Sequence, residues 1–201
     1  MVYIRLNDLS GEERLTETEL IDRARRGDGA AWESLVNDHQ QGVFRLAYLM
    51  LGNAPEAEDV AQEAFLRAFQ ALHRFDPERP LRPWLLSIAA NLARNQRRSL
   101  GRYFAAVRRL IQTEPETKVT SESKLAEKWD AEAVWKAVRQ LDELDQQIIY
   151  LRYFLDIPVA ETAQILDIAE GTVKSRLHRA LRRLHAVIVA DYPQLTEGRF
   201  G

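Results

Sequence analysis

Residues 158–184, PVAETAQILDIAEGTVKSRLHRALRRL, constrain this chain more than any other stretch: a short helix with an apolar stripe, a tight turn and a basic helix follow one another. In the first helix Val159, Ala163 and Leu166 share a packing stripe, and Ala163 is small enough for two helix axes to approach closely. In the second, Val173, Leu177, Ala180, Leu181 and Leu184 recur at helical spacing and are expected to pack inward, leaving Thr172, Arg176, Arg179 and Arg183 on another face. The segment reads as a helix-turn-helix. Its second helix is expected to start near Glu170, where free backbone N–H groups favour an anion. Docked by that end in a major groove, Thr172, Lys174, Ser175 and Arg176 reach phosphates or base edges, while Arg179 and Arg183 reach backbone further along. An arginine-rich surface by itself is more often a solvated face. The helix and turn in front of it reverse that balance.

The chain has 201 residues, 46% of them hydrophobic, enough for one sizeable core or two small ones. Its formal net charge of -2 argues against a nonspecific nucleic-acid coat, but the charge is segregated. Arginines dominate from Arg74 to Arg109 and again from Lys174 to Arg183, whereas Glu56–Glu63 and Glu114–Glu143 lean acidic, so separate surfaces can face DNA and a protein partner. Without cysteine there is no disulfide, thiolate nucleophile or cysteine-based zinc site. His39, His73, His178 and His185 form no recurring ligand motif, so no metal, cofactor or catalytic residue is expected. The opening MVYIRLNDLSGEERLT lacks the charged-then-apolar build of a secretion signal, and no run is long enough to span a bilayer. A cytoplasmic location without direct membrane insertion is the expectation.

The periodicity predicts helices over Thr18 to Gly27, Ala30 to Leu51, Pro55 to Leu72 and, after Asp76-Pro77, Pro80 and Pro83, Trp84 to about Arg98. The stretch TEPETKVTSESK has a proline, no apolar period and a polar composition, so a flexible joint is expected over 113–124. Beyond it, helices over Leu125 to Leu141 and Asp145 to Phe154 complete a second bundle with the helix-turn-helix. The fold class is therefore all-α, two small helical domains over 1–112 and 125–201. The segment Gly101 to Ile111 can extend the first block, bind DNA or pack against the joint.

Three motifs in this order, EAEDVAQEAFLRAF from Glu56, RPWLLSIAANLARNQRR from Arg82 and EGTVKSRLHRAL from Glu170, give the chain from about residue 18 to 186 its likeness. It resembles the extracytoplasmic-function group of bacterial sigma factors, in the sigma-70 family. The resemblance implies a non-catalytic specificity subunit that binds core RNA polymerase and directs promoter recognition, strand opening and transcription initiation. The implied DNA is double-stranded at the upstream element and partly single-stranded at the downstream one. By the same resemblance Asp59, Gln62, Glu63 and Leu66 grip a coiled-coil clamp of the polymerase, and the stretch from Leu81 to Asn95 recognises and opens the downstream element. Control by a separate inhibitory anti-sigma protein fits family habit.

The residues agree with that division of labour. Along 82–98, Trp84, Leu85, Ile88 and Leu92 stand at packing intervals, while Arg82, Asn91, Arg94, Asn95, Arg97 and Arg98 supply a polar surface suited to an unpaired strand. Trp84 has Leu85 and Leu86 beside it and is the residue of this set best suited to core packing. Arg176 is expected to read or clamp the upstream element, so that R176A loses promoter use with folding retained. Asp142 and Gln146 stand where the family often has proline and arginine, Pro83 replaces a small polar residue, and Ala169 removes the usual hydroxyl that caps the recognition helix. The rival reading is a self-sufficient helix-turn-helix regulator that binds duplex operator alone. It predicts tight DNA binding without polymerase.

Overall fold

Capping residues set the helix boundaries. A computed structural model describes residues 15–110 and 127–191, and all regular structure among them is helical. The first bundle contains α1 (Glu17–Arg25), α2 (Gly29–Leu51), α3 (Ala54–Ala71) and α4 (Leu81–Leu110), with a 3-10 turn at Leu72–Arg74. The second contains α5 (Glu127–Arg139), α6 (Glu143–Ile149), a π turn at Tyr150–Phe154, α7 (Val159–Leu166) and α8 (Glu170–Asp191). Thr16 and Glu19 form a reciprocal capping box at α1, and the Asp28 carboxylate accepts the N–H groups of Ala30 and Ala31 at the start of α2. Gly52 ends α2 at φ 75, and Asn53 at once caps α3 by accepting the N–H of Glu56.

Two boundaries depart from the sequence expectation. The helix expected from Trp84 begins instead at Leu81, with Pro83 buried in its first turn. The N–H groups of a first turn have no partner inside the helix, so a proline there forfeits no ladder bond. The same helix runs on to Leu110, so the ambiguous stretch after Gly101 extends the first block as far as the described residues reach. The joint expected over 113–124 lies outside the described residues.

Small residues set the packing of the first bundle. On α3 the inward stripe is Ala57, Val60, Ala64 and Ala68, all 3% exposed or less, which lets α3 lie close on α2 and its Leu35, Val43, Leu46 and Met50. Glu17 ties the bundle's two ends together by accepting the Leu81 N–H at 3.0 Å and standing 3.1 Å from His39. In the second bundle Val138, Ile148, Leu151, Ile157, Val173 and Ala180 are almost fully buried. Trp135 stacks on Tyr150 at 5.5 Å beside them. Burial pushes the Tyr150 hydroxyl up to about 12.

The two bundles share one contiguous apolar cluster, because α4 packs against α7 as well as against α2 and α3. Leu81, Leu85, Leu86, Ala89, Ala90 and Ala93 are buried along α4, an arc wider than one packing stripe, so the helix serves two neighbours at once.

Candidate functional site

Three surfaces carry the residues that the sequence singles out. The first is a groove of about 950 Å³ between α2 and α3, floored by Trp32, Phe44 and Phe65. Trp32 meets Phe69 at 5.2 Å and Phe65 at 6.3 Å, edge-on, a mutual support that holds the rings in an open groove. Leu66 is 58% and Phe69 51% exposed on its lip, large apolar side chains left uncovered at one place. Gln62 is exposed on the groove's lining and Asp59 is exposed one turn before it, and half-buried Glu63 is held by Arg67 at 2.7 Å one turn on. All four residues expected to meet the polymerase, Asp59, Gln62, Glu63 and Leu66, thus lie on one side of α3. Sequence reasoning missed the aromatic floor. Its signal is Phe69, three residues beyond Leu66 and off the alanine stripe.

The second surface belongs to α4, and here the seven expected downstream residues divide. Trp84, Asn91, Asn95 and Arg98 fall on one stripe at spacings of seven, four and three; the last three are exposed, and Trp84 is half-buried. Trp84 rests against Phe75 at 4.6 Å and packs against the core cluster, only partly buried. Arg82, Arg94 and Arg97 turn towards the second bundle. Arg82 donates to the Leu155 carbonyl at 3.0 Å, Arg94 to Gln147 Oε1 at 3.3 Å and to Asn91 at 3.2 Å, and Arg97 to Gln146 Oε1 at 3.5 Å.

The third surface is α8. Val173 and Ala180 are fully buried and Leu177 and Leu184 half-buried, as the spacing predicts, but Leu181, expected inward, is 36% exposed. It lies about a quarter turn round the helix from Val173 and Ala180, at the edge of the packing stripe, where a residue one position past Ala180 must fall. Lys174, Ser175, His178, Arg179 and Arg182 are exposed together on the outer side, with Thr172 half-buried at its edge. His178 lies on this ridge, as expected of a polar residue of that helix face or its edge, and Arg182 joins it although the sequence did not single it out.

Arg176 and Arg183, one above the other at a spacing of seven, sit at the flank. Arg176 donates to Asp145 at 2.8 Å and Arg183 to the other Asp145 oxygen at 2.9 Å. Asp145 is 1% exposed, and both arginines also reach Asp142 at 3.3 Å. Partial burial opposes ionisation of the Asp142 carboxyl, but the Asp145 N–H and the two guanidinium groups hold it below its ordinary value. Asp142, where a proline is frequent, therefore has two roles. It caps α6 by accepting the Asp145 N–H at 3.0 Å and completes the four-charge cluster. Gln146 is buried too, donating to the carbonyls of Arg139 and Leu141. The turn before α8 has no hydroxyl cap at Ala169; Asp167 takes the left-handed C-cap of α7 at φ 55 instead.

Among the described residues no group of His, Asp or Glu side chains is arranged to hold a metal ion, and no helix is long and apolar enough to cross a membrane.

Residues 35–103 match the family Sigma-70 region 2, and residues 131–184 match Sigma-70, region 4. The chain is 32% identical to the ECF RNA polymerase sigma factor SigW of Bacillus subtilis over 82% of its own length and 92% of that protein. It is 35% identical to the ECF RNA polymerase sigma factor SigL of Mycobacterium tuberculosis over 84% of its length and 94% of the relative. Among solved structures, CnrH in complex with the cytosolic domain of CnrY matches with a TM-score of 0.67 at 25% identity, covering 87% of this chain and 98% of that one. With both sigma regions present in order and full-length relatives matched nearly end to end, the chain belongs to the extracytoplasmic-function RNA polymerase sigma factors, which direct promoter recognition and transcription initiation.

Proposed function

We propose that the three surfaces divide the work of a sigma factor among them. The α2–α3 groove takes a helical clamp of core RNA polymerase, with Leu66 and Phe69 as apolar anchors and Asp59, Gln62 and Glu63 as the polar rim. The outward stripe of α4 holds the partly single-stranded downstream element: Trp84 offers a ring face to a base, Asn91 and Asn95 offer amides to base edges, and Arg98 meets phosphate. The α8 ridge of Lys174, Ser175, His178 and Arg179 enters the upstream duplex. Residues 1–112 and 125–201 act as the two working domains, joined over 113–124.

The chain makes and breaks no bond in this reading. Strand opening draws on contacts that unpaired bases gain and the duplex lacks, without nucleotide hydrolysis by this subunit. The protein works in the cytoplasm, where polymerase and promoter are found, and a separate anti-sigma protein holds it inactive, as CnrY's cytosolic domain is seen with CnrH.

The observation that carries the reading is an uncovered aromatic groove and two separate polar helix faces in one chain, more surfaces than an operator binder acting alone requires. The test is transcription start mapping with purified core polymerase, this protein and genomic fragments. New discrete starts that depend on the chain support it. Their absence with active core and folded protein, together with tight operator binding by the chain alone, overturns it in favour of the self-sufficient regulator.

A further inference from the structure

The three surfaces leave one polar cleft of the protein unused. It measures about 340 Å³ and lies on the side of α2 turned away from the aromatic groove, against the first turn of α4. Asp38, Gln41, Gly42 and Arg45 line it from α2, at spacings of three, one and three that put them on one face of the helix. Arg82 enters from α4 and brings a second positive charge. Asp38 and Arg45 stand seven residues apart, about 10 Å along the helix axis, so the cleft carries opposite charges two turns from each other.

These polar groups are largely unspent. Asp38, Gln41 and Arg45 are exposed and have no hydrogen bond or ion pair with any described residue. Arg82 donates to the Leu155 carbonyl at 3.0 Å, which leaves most of the five donors of a guanidinium available. His39, also in the lining, is already engaged by Glu17 at 3.1 Å. Gly42 is an independent observation. It sits in the middle of the 23-residue α2, where glycine weakens a helix relative to alanine. A Cβ there would meet nothing within 4 Å, so no neighbour inside the protein requires the glycine. Its bare backbone floors the cleft between Asp38 and Arg45 and leaves room for a flat group to lie against it.

We propose that this cleft binds a free guanine mononucleotide. The phosphate takes the charge-assisted bonds that Arg45 offers, the ring lies over Gly42, and Asp38 with Gln41 reads the edge of the base. Guanine is the base whose pairing edge sets two adjacent N–H donors beside a carbonyl oxygen; a carboxylate accepts the pair and a neighbouring side-chain amide donates to the oxygen. A nucleotide of the downstream strand does not reach this place. Arg82 and Asn91 are nine residues apart on α4, two and a half turns, so the cleft and the outward stripe lie on opposite sides of that helix.

Calorimetric titration of the full chain, without polymerase or DNA, with GMP, AMP and inorganic phosphate tests the site. GMP is expected to bind one to one and at least about tenfold more tightly than AMP, with phosphate weakest. R45A should weaken all three, whereas D38A should weaken GMP about tenfold and leave phosphate unchanged. Both side chains are exposed, so the helical circular dichroism of these variants should match that of the parent. G42L places a side chain where the ring lies and should abolish nucleotide binding. G42A should raise the melting temperature of the free protein by about 2–4 °C, because its methyl group meets no neighbour. No saturable GMP binding up to about 1 mM overturns the proposal. So does GMP binding that survives R45A or G42L, an affinity for phosphate equal to that for GMP, or a G42A protein less stable than the parent. None of these readings involves polymerase, so failure of the site and failure of the sigma assignment are told apart.

Discussion

Replacing Asp145 by alanine tests which interactions set the recognition helix in its bundle. The side chain is 1% exposed and accepts from Arg176 at 2.8 Å and Arg183 at 2.9 Å. Hydrogen bonds to charged groups contribute about 1.5–3 kcal/mol each when well buried. The Arg176 side chain is 31% exposed and the Arg183 side chain 56%, so the first bond is credited with about 2 kcal/mol and the second, screened by water, with about 0.5–1. D145A therefore destabilises the second bundle by about 3 kcal/mol, at the low end for removal of one partner from a buried ion pair. D145N keeps the volume and one acceptor oxygen and costs about half as much. Urea unfolding followed by the amide resonances of Val173 and Ala180 in α8, beside those of Ala64 and Ala68 in α3, reads the two bundles separately. The loss is expected in α8 first. A change below about 0.5 kcal/mol in α8 would show that the cluster is no more than a surface pair, and the account of Arg176 as a structural residue would fall with it. R176A removes only the first bond and leaves Arg183 on Asp145, so it should cost about 2 kcal/mol, a smaller loss in the same bundle that qualifies the sequence expectation of retained folding.

Four other outcomes follow from the geometry. The Glu17 carboxyl is held below its ordinary value of 4.5 chiefly by His39, against partial burial and with help from the Leu81 N–H. Its contribution is complete above that ordinary value and is lost as pH falls through the lower folded one, so E17Q should flatten the acid limb of the first bundle's stability curve, by an amount reduced by solvent screening of the half-exposed carboxylate; an unchanged limb refutes the clamp. L66A with F69A should weaken core-polymerase binding at least about tenfold while the helical circular dichroism stays constant, because both side chains are more than half exposed and support no core; normal binding removes the groove from the interface. Charge reversal at Asp59 and Glu63 should act in the same direction. On α8, replacing Lys174 and Arg179 by alanine should lower upstream-element affinity of the assembled polymerase and reduce the salt slope by about 2, one for each phosphate no longer neutralised, with unfolding unchanged.

Local pattern carries most of the fold into view. The alanine and valine stripe of α3, the Gly52–Asn53 break and the helix-turn-helix spacing each depend on residues within a few positions of one another, and those elements form where the pattern puts them. Pairings over long sequence separations are not legible. Arg176 lies on the polar flank of α8 by spacing alone, and nothing near it announces a buried carboxylate 31 residues earlier. Arg94 meets Gln147 across 53 residues. Asp142 reads as a missing proline until its two roles, cap and counter-ion, are seen together. Proline reads as an interruption in a helical pattern, yet a first turn tolerates it, and α4 accordingly starts ahead of Pro83 rather than after it.

The contrast between arginines held by carboxylates and arginines held by neutral oxygens also bears on how the helix-turn-helix is kept rigid. Asp145 is fixed by α6 and receives two arginines one helical repeat apart, so α8 cannot slide or rotate against α6 without breaking both bonds together. That arrangement fixes the angle at which Lys174, Ser175, His178 and Arg179 face outward, and the angle decides which base edges they reach. Between the bundles the acceptors are neutral instead, the Leu155 carbonyl for Arg82 and the Gln147 amide for Arg94, so these bonds hold no carboxylate that their loss would leave unpaired.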